Sequence, residues 1–394
     1  MKSFGIVAEY NPFHKGHLYQ INETKKYISE KDNDEAVAVA VMSGNLTQRG
    51  EAAAFNKWKR AEMAAACGVD LVVELPTVYA CSSAGDFAAA GIKILENLGV
   101  DYISFGSESG DIEQLKRIAN LIKENEDLIE SAVKAKVKDG LSYPRARQEA
   151  LSAWLNEEEM ELMGNPNNIL ALEYLKNISR AHPLTIKRAG AGYNDAEAKD
   201  GLASASFIRK KLEKDDEGTL WMPPEASELI AEEKSCTMDM LYPLLVHKVI
   251  SSSAEKLESV AAGGEGLGNK LKNSIRKCSS YDELVDMLKS KRYTRTRISR
   301  FLAHVLLDIH AEDIEKGGLY IRVLAFTGRG AKYLKKVKKE GQCQLPVITN
   351  INKDVFPEVN HILEKDIMAA DIYNLVMKKD LYECSEFVQQ VRRL

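Results

Sequence analysis

Two histidines three residues apart, His14 and His17, are the residues of this chain best placed to do chemistry. Phe4 to Ala8 is short and apolar, the composition of a buried strand; Asn11 and Pro12 break it and deliver His14-Lys15-Gly16-His17 into a helix start. Residues three apart on a first helical turn lie on one side. Free backbone N–H groups and the positive end of the helix dipole favour an anion there. Gly16 takes a side chain off the surface between the imidazoles, so a phosphate can approach the backbone closely. As charge builds on an α-phosphate during in-line attack, two imidazoles can stabilise it as donors without acid–base chemistry of their own. The plain alternative is a pair of capping histidines on an ordinary helix; the preceding strand and Tyr10-Asn11-Pro12-Phe13 favour phosphate binding.

Ser204-Ala205-Ser206-Phe207-Ile208-Arg209 offers a second anion site, with two hydroxyls opening a helix and a guanidinium on its first turn. In isolation an N-cap and a solvated arginine explain the same residues. In one chain with the first motif, the pair can grip the α-phosphate and the β,γ-phosphates of ATP. Gly44 to Glu51 is a long polar loop after a buried strand, suited equally to a second substrate or to a plain connector. Lys57 and Arg60 follow on a helix, where a charged solvated face needs no further explanation.

The third signal is electrostatic. Lys270 to Arg300 holds ten cations against Asp282, Glu283 and Asp286, a local charge of +7 in a chain whose net charge is −4. Its core, Lys289-Ser290-Lys291-Arg292-Tyr293-Thr294-Arg295-Thr296-Arg297, interleaves an aromatic and hydroxyls with bases. That mixture suits RNA, whose phosphates take cations and whose unstacked bases take aromatic or guanidinium planes. A second cluster follows at Lys332, Lys335, Lys336, Lys338 and Lys339. One such cluster reads as a solvated helix face; two in an acidic chain favour nucleic-acid binding.

The elements that must position these residues alternate. Strands at Phe4–Ala8, Glu35–Met42, Asp70–Glu74 and Tyr102–Phe105 are separated by helices around Asn56–Cys67 and Ala84–Leu95, the pattern of a doubly wound parallel α/β sheet. In such sheets ligands sit beyond the carboxyl ends of the strands, where the informative loops fall. From Gly110 to Asn177 the pattern is helical and polar; a short apolar segment, Leu184–Ile186, then precedes Lys187-Arg188, and Leu319–Phe326 reads as a further strand. Prolines 223 and 224 place a boundary between residues 1–221, a nucleotide-binding domain, and residues 222–394, a mostly helical basic region. The glycines from Gly263 to Gly268 follow no convincing strand and read as a loop.

At 394 residues, 45% hydrophobic and 28% charged, the composition is that of a soluble globular protein of two or three domains. No apolar run approaches the about 18 residues needed to cross a bilayer, and Met1-Lys2-Ser3 does not resemble a signal peptide. Six scattered cysteines without a Cys-x-x-Cys pair argue against a zinc site and for a reducing cytoplasm. His182, His247, His304, His310 and His361 have no ligand spacing, and no metal site is expected from the protein alone. No serine sits in a nucleophile elbow.

The first two motifs together resemble the signature of the His-x-Gly-His nucleotidyltransferase superfamily, which includes class I aminoacyl-tRNA synthetases. The fuller set is narrower: Gly5 to His17, Ser43 to Glu51, Asp70 to Pro76, Phe105 to Glu108, Pro166 to Leu170 and Lys291 to Arg297 resemble the bacterial tRNA(Met) cytidine acetate ligases, over most of the chain. The resemblance implies a Rossmann-like fold and a two-step reaction. Acetate and ATP give acetyl-adenylate and pyrophosphate; the acetyl group then passes to N4 of the wobble cytidine of elongator tRNA(Met). His14 and His17 are then catalytic. ATP is held by Val7, Ala8, Glu9, Tyr10, Asn11, Pro12, Phe13, His14, Lys15, Gly16, His17, Leu18, Tyr19, Gln20, Gly106, one of Asn167 and Asn168, and Arg188, with Ser204, Ser206 and Arg209 on the β,γ-phosphates. Mg2+ accompanies the phosphates. The tRNA falls to Lys289, Lys291, Arg292, Arg295, Arg297 and Arg300. No membrane and no obligate protein partner are expected. Asn194 stands where the family more often has histidine. Two other classes compete: a small-molecule adenylyltransferase acting on pantetheine phosphate or nicotinate mononucleotide, which does not predict the basic segment, and a non-catalytic RNA-binding protein, which does not predict intact His14, His17 and Arg209.

Overall fold

The computed structural model describes residues 1–141, 143–188, 201–214, 217–341, 343–351 and 360–394. Among these residues one sheet is built from β1 (Lys2–Ala8), β2 (Ala36–Ser43), β3 (Leu71–Leu75), β4 (Tyr102–Ser107), β5 (His182–Lys187), β6 (Ile321–Phe326), β7 (Val347–Ile348) and β8 (Arg392–Arg393). The order is β5-β4-β1-β2-β3-β6-β7, with β8 also pairing β6. Every pairing is parallel except β3 with β6. The sheet is therefore mostly parallel, as the apolar strands predict, with one antiparallel join where the distal part of the chain enters it.

All eight residues of β2 are buried. Val37, Val39 and Val41 face one helical layer, and Ala36, Ala38, Ala40 and Met42 face the other. The first layer contains the helices Ala84–Asn97, Ile112–Glu124, Pro166–Asn177 and Gly328–Glu340; the second contains α1 (Lys15–Asp32) and α2 (Lys57–Ala66). Helix Ala84–Asn97 lies close on β1 because Gly91 has no side chain: a Cβ there would stand 2.7 Å from a Val7 methyl. A third apolar cluster joins the helices Met238–Ser251, Tyr281–Leu288 and Arg295–Leu307 through Leu245, Leu284 and Phe301, and Ala52 from the loop after β2 belongs to it. No helix of the described residues is long and apolar enough to cross a membrane.

The expectation of a solvated face at Lys57 and Arg60 is corrected. Both are buried. Lys57 Nζ lies 2.8 Å from Glu74 and 3.0 Å from Glu386, a residue contributed by the far end of the chain. Arg60 donates to the backbone carbonyls of Phe55, Glu9, Ser43 and Gly44. It therefore fastens the loops that leave β1 and β2 to each other. The rule that long charged side chains stay in water fails where backbone oxygens at the strand ends need donors.

The chain runs from β1 outward through β2 and β3 on one side, then crosses back to β4 on the other side of β1, and this switch opens a crevice at the carboxyl ends of β1 and β4. The lysine-rich helix Gly328–Glu340 lies elsewhere. Its N-cap Thr327 bonds Asp70, just before β3, and its Tyr333 hydroxyl donates to the Leu98 carbonyl, just before β4. Lys332, Lys335, Lys336, Lys338 and Lys339 thus sit at the amino ends of the strands, opposite the crevice.

Candidate active site

His14 is the N-cap of α1, and the two imidazoles cap its start reciprocally. His14 Nδ1 accepts the Gly16 N–H at 3.1 Å, and His17 Nδ1 accepts the His14 N–H at 3.2 Å. With each Nδ1 an acceptor, the neutral rings carry their protons on Nε2. The rings stack with centroids 3.7 Å apart, and Tyr10 and Phe13 pack on His17 at 4.9 and 5.5 Å. Burial, reinforced by Arg188 and Arg209, pushes the His14 pKa down to about 3. Burial, then His14 and Arg188, hold His17 well below the usual imidazole range. Both rings are neutral N–H donors at pH 7, so capping and phosphate donation are compatible roles of one pair. Gly16 differs from expectation in its reason: a Cβ there would stand 2.9 Å from His14 Cε1, so the glycine makes room for the folded-back ring.

These rings face a cavity of about 250 Å³ at the carboxyl ends of β1 and β4. Of the residues singled out in the sequence, Val7, Ala8, Glu9, Tyr10, Asn11, His14, His17, Gln20, Gly106, Asn167, Arg188, Ser204 and Arg209 line it. Gly16 and Tyr19 line a smaller annex of about 40 Å³ beside it. The two motifs touch: Arg209 Nη1 donates to the Asn11 carbonyl at 2.9 Å, and Ser204 Oγ accepts the Phe207 N–H as a helix cap. Pro12, Phe13, Lys15, Leu18, Asn168 and Ser206 do not line the cavity. Phe13 is core, Leu18 packs against the layer beneath α1, and Lys15 Nζ bonds the Leu220 carbonyl. Ser206 Oγ lies 3.1 Å from Ser204 Oγ. Asn168 is buried and accepts the N–H groups of Glu108 and Ser109, whereas Asn167 reaches the cavity and donates to Glu108. Asn194 lies outside the described residues.

The loop after β2 supplies a whole wall: Thr47, Gln48, Arg49 and Glu51. Phe87, Phe105, Leu170 and Tyr174 add an apolar side. Phe105 and Leu170 sit inside motifs visible in the sequence, but Phe87 and Tyr174 read only as helix core. Glu51 Oε2 stands 4.0 Å from Arg209 Nη2, and Glu9 Oε1 accepts the Gln48 N–H at 2.9 Å. Among the described residues no group of three or more His, Cys, Asp or Glu could hold a metal ion.

Lys289, Lys291, Arg292 and Arg295 are exposed. Arg292 pairs with Glu265 at 3.1 Å, and Arg295 with Asp282 and Asp286. Such surface pairs are worth about 0–1 kcal/mol, little hindrance to a phosphate. Tyr293 differs from the stacking surface that the sequence suggests. It is buried, its hydroxyl donates to Glu265, and Arg297 covers its ring at 4.8 Å. Arg300 Nη1 donates to the Ser82 carbonyl at 2.9 Å, and Gln48 Nε2 donates to the same oxygen at 3.0 Å. Gly50, at φ +76°, lies so close that a Cβ would stand 2.6 Å from Arg300 N and Cα. The basic segment therefore ends packed against the loop that walls the cavity.

Residues 1–386 match the family model described as HIGH Nucleotidyl Transferase. The tRNA(Met) cytidine acetate ligase of Thermoanaerobacter sp. (strain X514) is 39% identical over the full length of both chains. That of Caldicellulosiruptor saccharolyticus is 40% identical over 96% of this chain and 95% of its own. The apo crystal structure of Thermotoga maritima TmcAL superposes with a TM-score of 0.91 at 30% identity, covering both chains completely. The form of that protein bound with α-thio ATP gives 0.89.

Proposed function

The chain belongs to the HIGH nucleotidyl transferases and, among them, to the tRNA(Met) cytidine acetate ligases, and from that premise we propose that it joins acetate to tRNA(Met) at the expense of ATP. The carrying observation is one cavity in which two neutral imidazole donors, Arg188 and Arg209 converge beside a surface rich in cations.

A carboxylate is a poor acyl donor because its leaving group would be oxide; joined to AMP it gains a good one. In the first step the Nε2–H groups of His14 and His17 hold the α-phosphate oxygens while acetate attacks phosphorus and pyrophosphate leaves. Arg209, Ser204 and the N–H groups that open helix Ala205–Lys214 hold the departing phosphates. Mg2+ would enter with the substrate, as the counter-ion of the ATP phosphates; among the described residues no group of three or more His, Cys, Asp or Glu would hold it apart from them. In the second step N4 of the wobble cytidine attacks the acetyl carbon, and AMP leaves. The anticodon base must leave its stack to reach the cavity. Residues 1–221 then carry ATP and acetate, and residues 222–394 bring Lys289, Lys291, Arg292, Arg295, Arg297 and Arg300 to the tRNA backbone.

The test incubates the protein with ATP, labelled acetate and tRNA(Met). Label is expected on the tRNA only with all three present. Label passing to a phosphopantetheine acceptor instead would replace this reaction with small-molecule adenylyl chemistry.

A further inference from the structure

Acyl transfer to an exocyclic amine forms a C–N bond, breaks the bond between the acetyl carbon and the adenylate oxygen, and strips one proton from nitrogen. The imidazoles are poor acceptors for it: each Nδ1 already accepts a backbone N–H, and each Nε2 is a donor. Arginines cannot take it. Among the described lining residues, Glu9 and Glu51 are the carboxylates. Glu9 leaves the end of β1, its Oε1 holding the Gln48 N–H and its carbonyl under Arg60.

Glu51 stands in the loop after β2, one third exposed. Its backbone is fixed: its carbonyl accepts the Thr47 N–H at 2.9 Å and the Thr47 hydroxyl at 3.1 Å, and Leu46 bridges Ala52. The preceding Gly50 lies against Ser299 and Arg300, in the helix that carries the basic segment. Glu51 is thus the cavity carboxylate held at the seam between the nucleotide chamber and the cationic surface. Resting on the ligase function proposed above, we propose that Glu51 accepts the proton from the attacking cytosine N4 amine. The C–N bond forms, AMP leaves with the electron pair of the broken C–O bond, and the proton ends on the Glu51 carboxyl. The charged and titratable groups facing it are Arg209, Arg49, Glu9 and Tyr281.

The experiment separates the two steps of the full-length protein. Enzyme, ATP and labelled acetate are mixed to form the adenylate, and tRNA(Met) is then added in a single turnover. Glu51→Gln is expected to slow transfer about 100-fold or more, and at least tenfold more than it slows adenylate formation. Glu51→Asp, which keeps the carboxylate on a shorter arm, is expected to recover part of the transfer rate. Three results would overturn the proposal: transfer unchanged in Glu51→Gln, both steps falling in parallel, or the same split found in Glu9→Gln instead. Wild-type protein that forms no acetyl-adenylate would remove the ligase reading itself, and this role with it.

Discussion

An imidazole has two nitrogens, and the start of α1 uses one of each pair for the fold and leaves the other for a ligand. His14 and His17 spend Nδ1 on backbone N–H groups, so they cannot swing toward a phosphate without uncapping the helix. Their depressed pKa values fix the sign of two expectations. In NMR titration neither ring should protonate between about pH 5 and pH 8 in the folded protein; a midpoint near 6.5 for either would contradict the buried pair. Because the folded rings bind protons less readily than the unfolded ones, their contribution to stability is complete above about pH 6.5 and is lost as pH falls toward 3. His17→Ala is expected to abolish acetate-dependent pyrophosphate exchange while tRNA binding stays within a few-fold, measured by filter retention. Gly16→Ala should slow the same exchange by tenfold or more, since its methyl meets the His14 ring at 2.9 Å. The pair was legible because strand, turn and helix start lie within fifteen residues. The reason for the glycine was not, since it depends on how the ring folds back.

At the scale of elements, α2 and the loop after β2 bind distant parts of the molecule together. Lys57 stands between Glu74 and Glu386, all three buried. Lys57→Met leaves the buried Glu74 without its cation and Glu386 to Arg322, 3.7 Å away, and should cost about 3–5 kcal/mol in denaturant unfolding. A change below 1 kcal/mol would mean that the cluster holds nothing. Sequence reasoning took Lys57 and Arg60 for solvent residues because burial is set by partners far along the chain: Glu386 for the lysine, four carbonyls for the arginine. The loop itself was visible as polar and well placed. That its residues 47–51 form a wall shared with the basic segment required the contact between Gly50 and Arg300.

Across the whole molecule, the distal region is both helical appendage and part of the sheet. β6 pairs β3 and β8 pairs β6, so the sheet crosses residue 221, and the division proposed there is one of tasks. Alternating strands and helices made the first four strands legible, while β5 showed only as a short apolar segment; the antiparallel β6 was expected as a strand, but nothing local announces which edge it joins. The two lysine-rich regions also part company, since Lys332 to Lys339 occupy the amino ends of the strands. The proposed tRNA contact is therefore kept to the segment from Lys289 to Arg300. Arg295→Glu should weaken tRNA binding about tenfold or more and flatten its salt dependence, with adenylate formation little changed. Unaltered binding would take the RNA role from that segment.

One oxygen gives this layout a mechanical side. The Ser82 carbonyl is held at once by Gln48 of the cavity wall and by Arg300 of the helix proposed to face the tRNA. A load applied to that helix is felt at the same peptide that steadies the nucleotide's enclosure. The nucleotide cavity and the proposed tRNA surface are thereby pinned to one peptide.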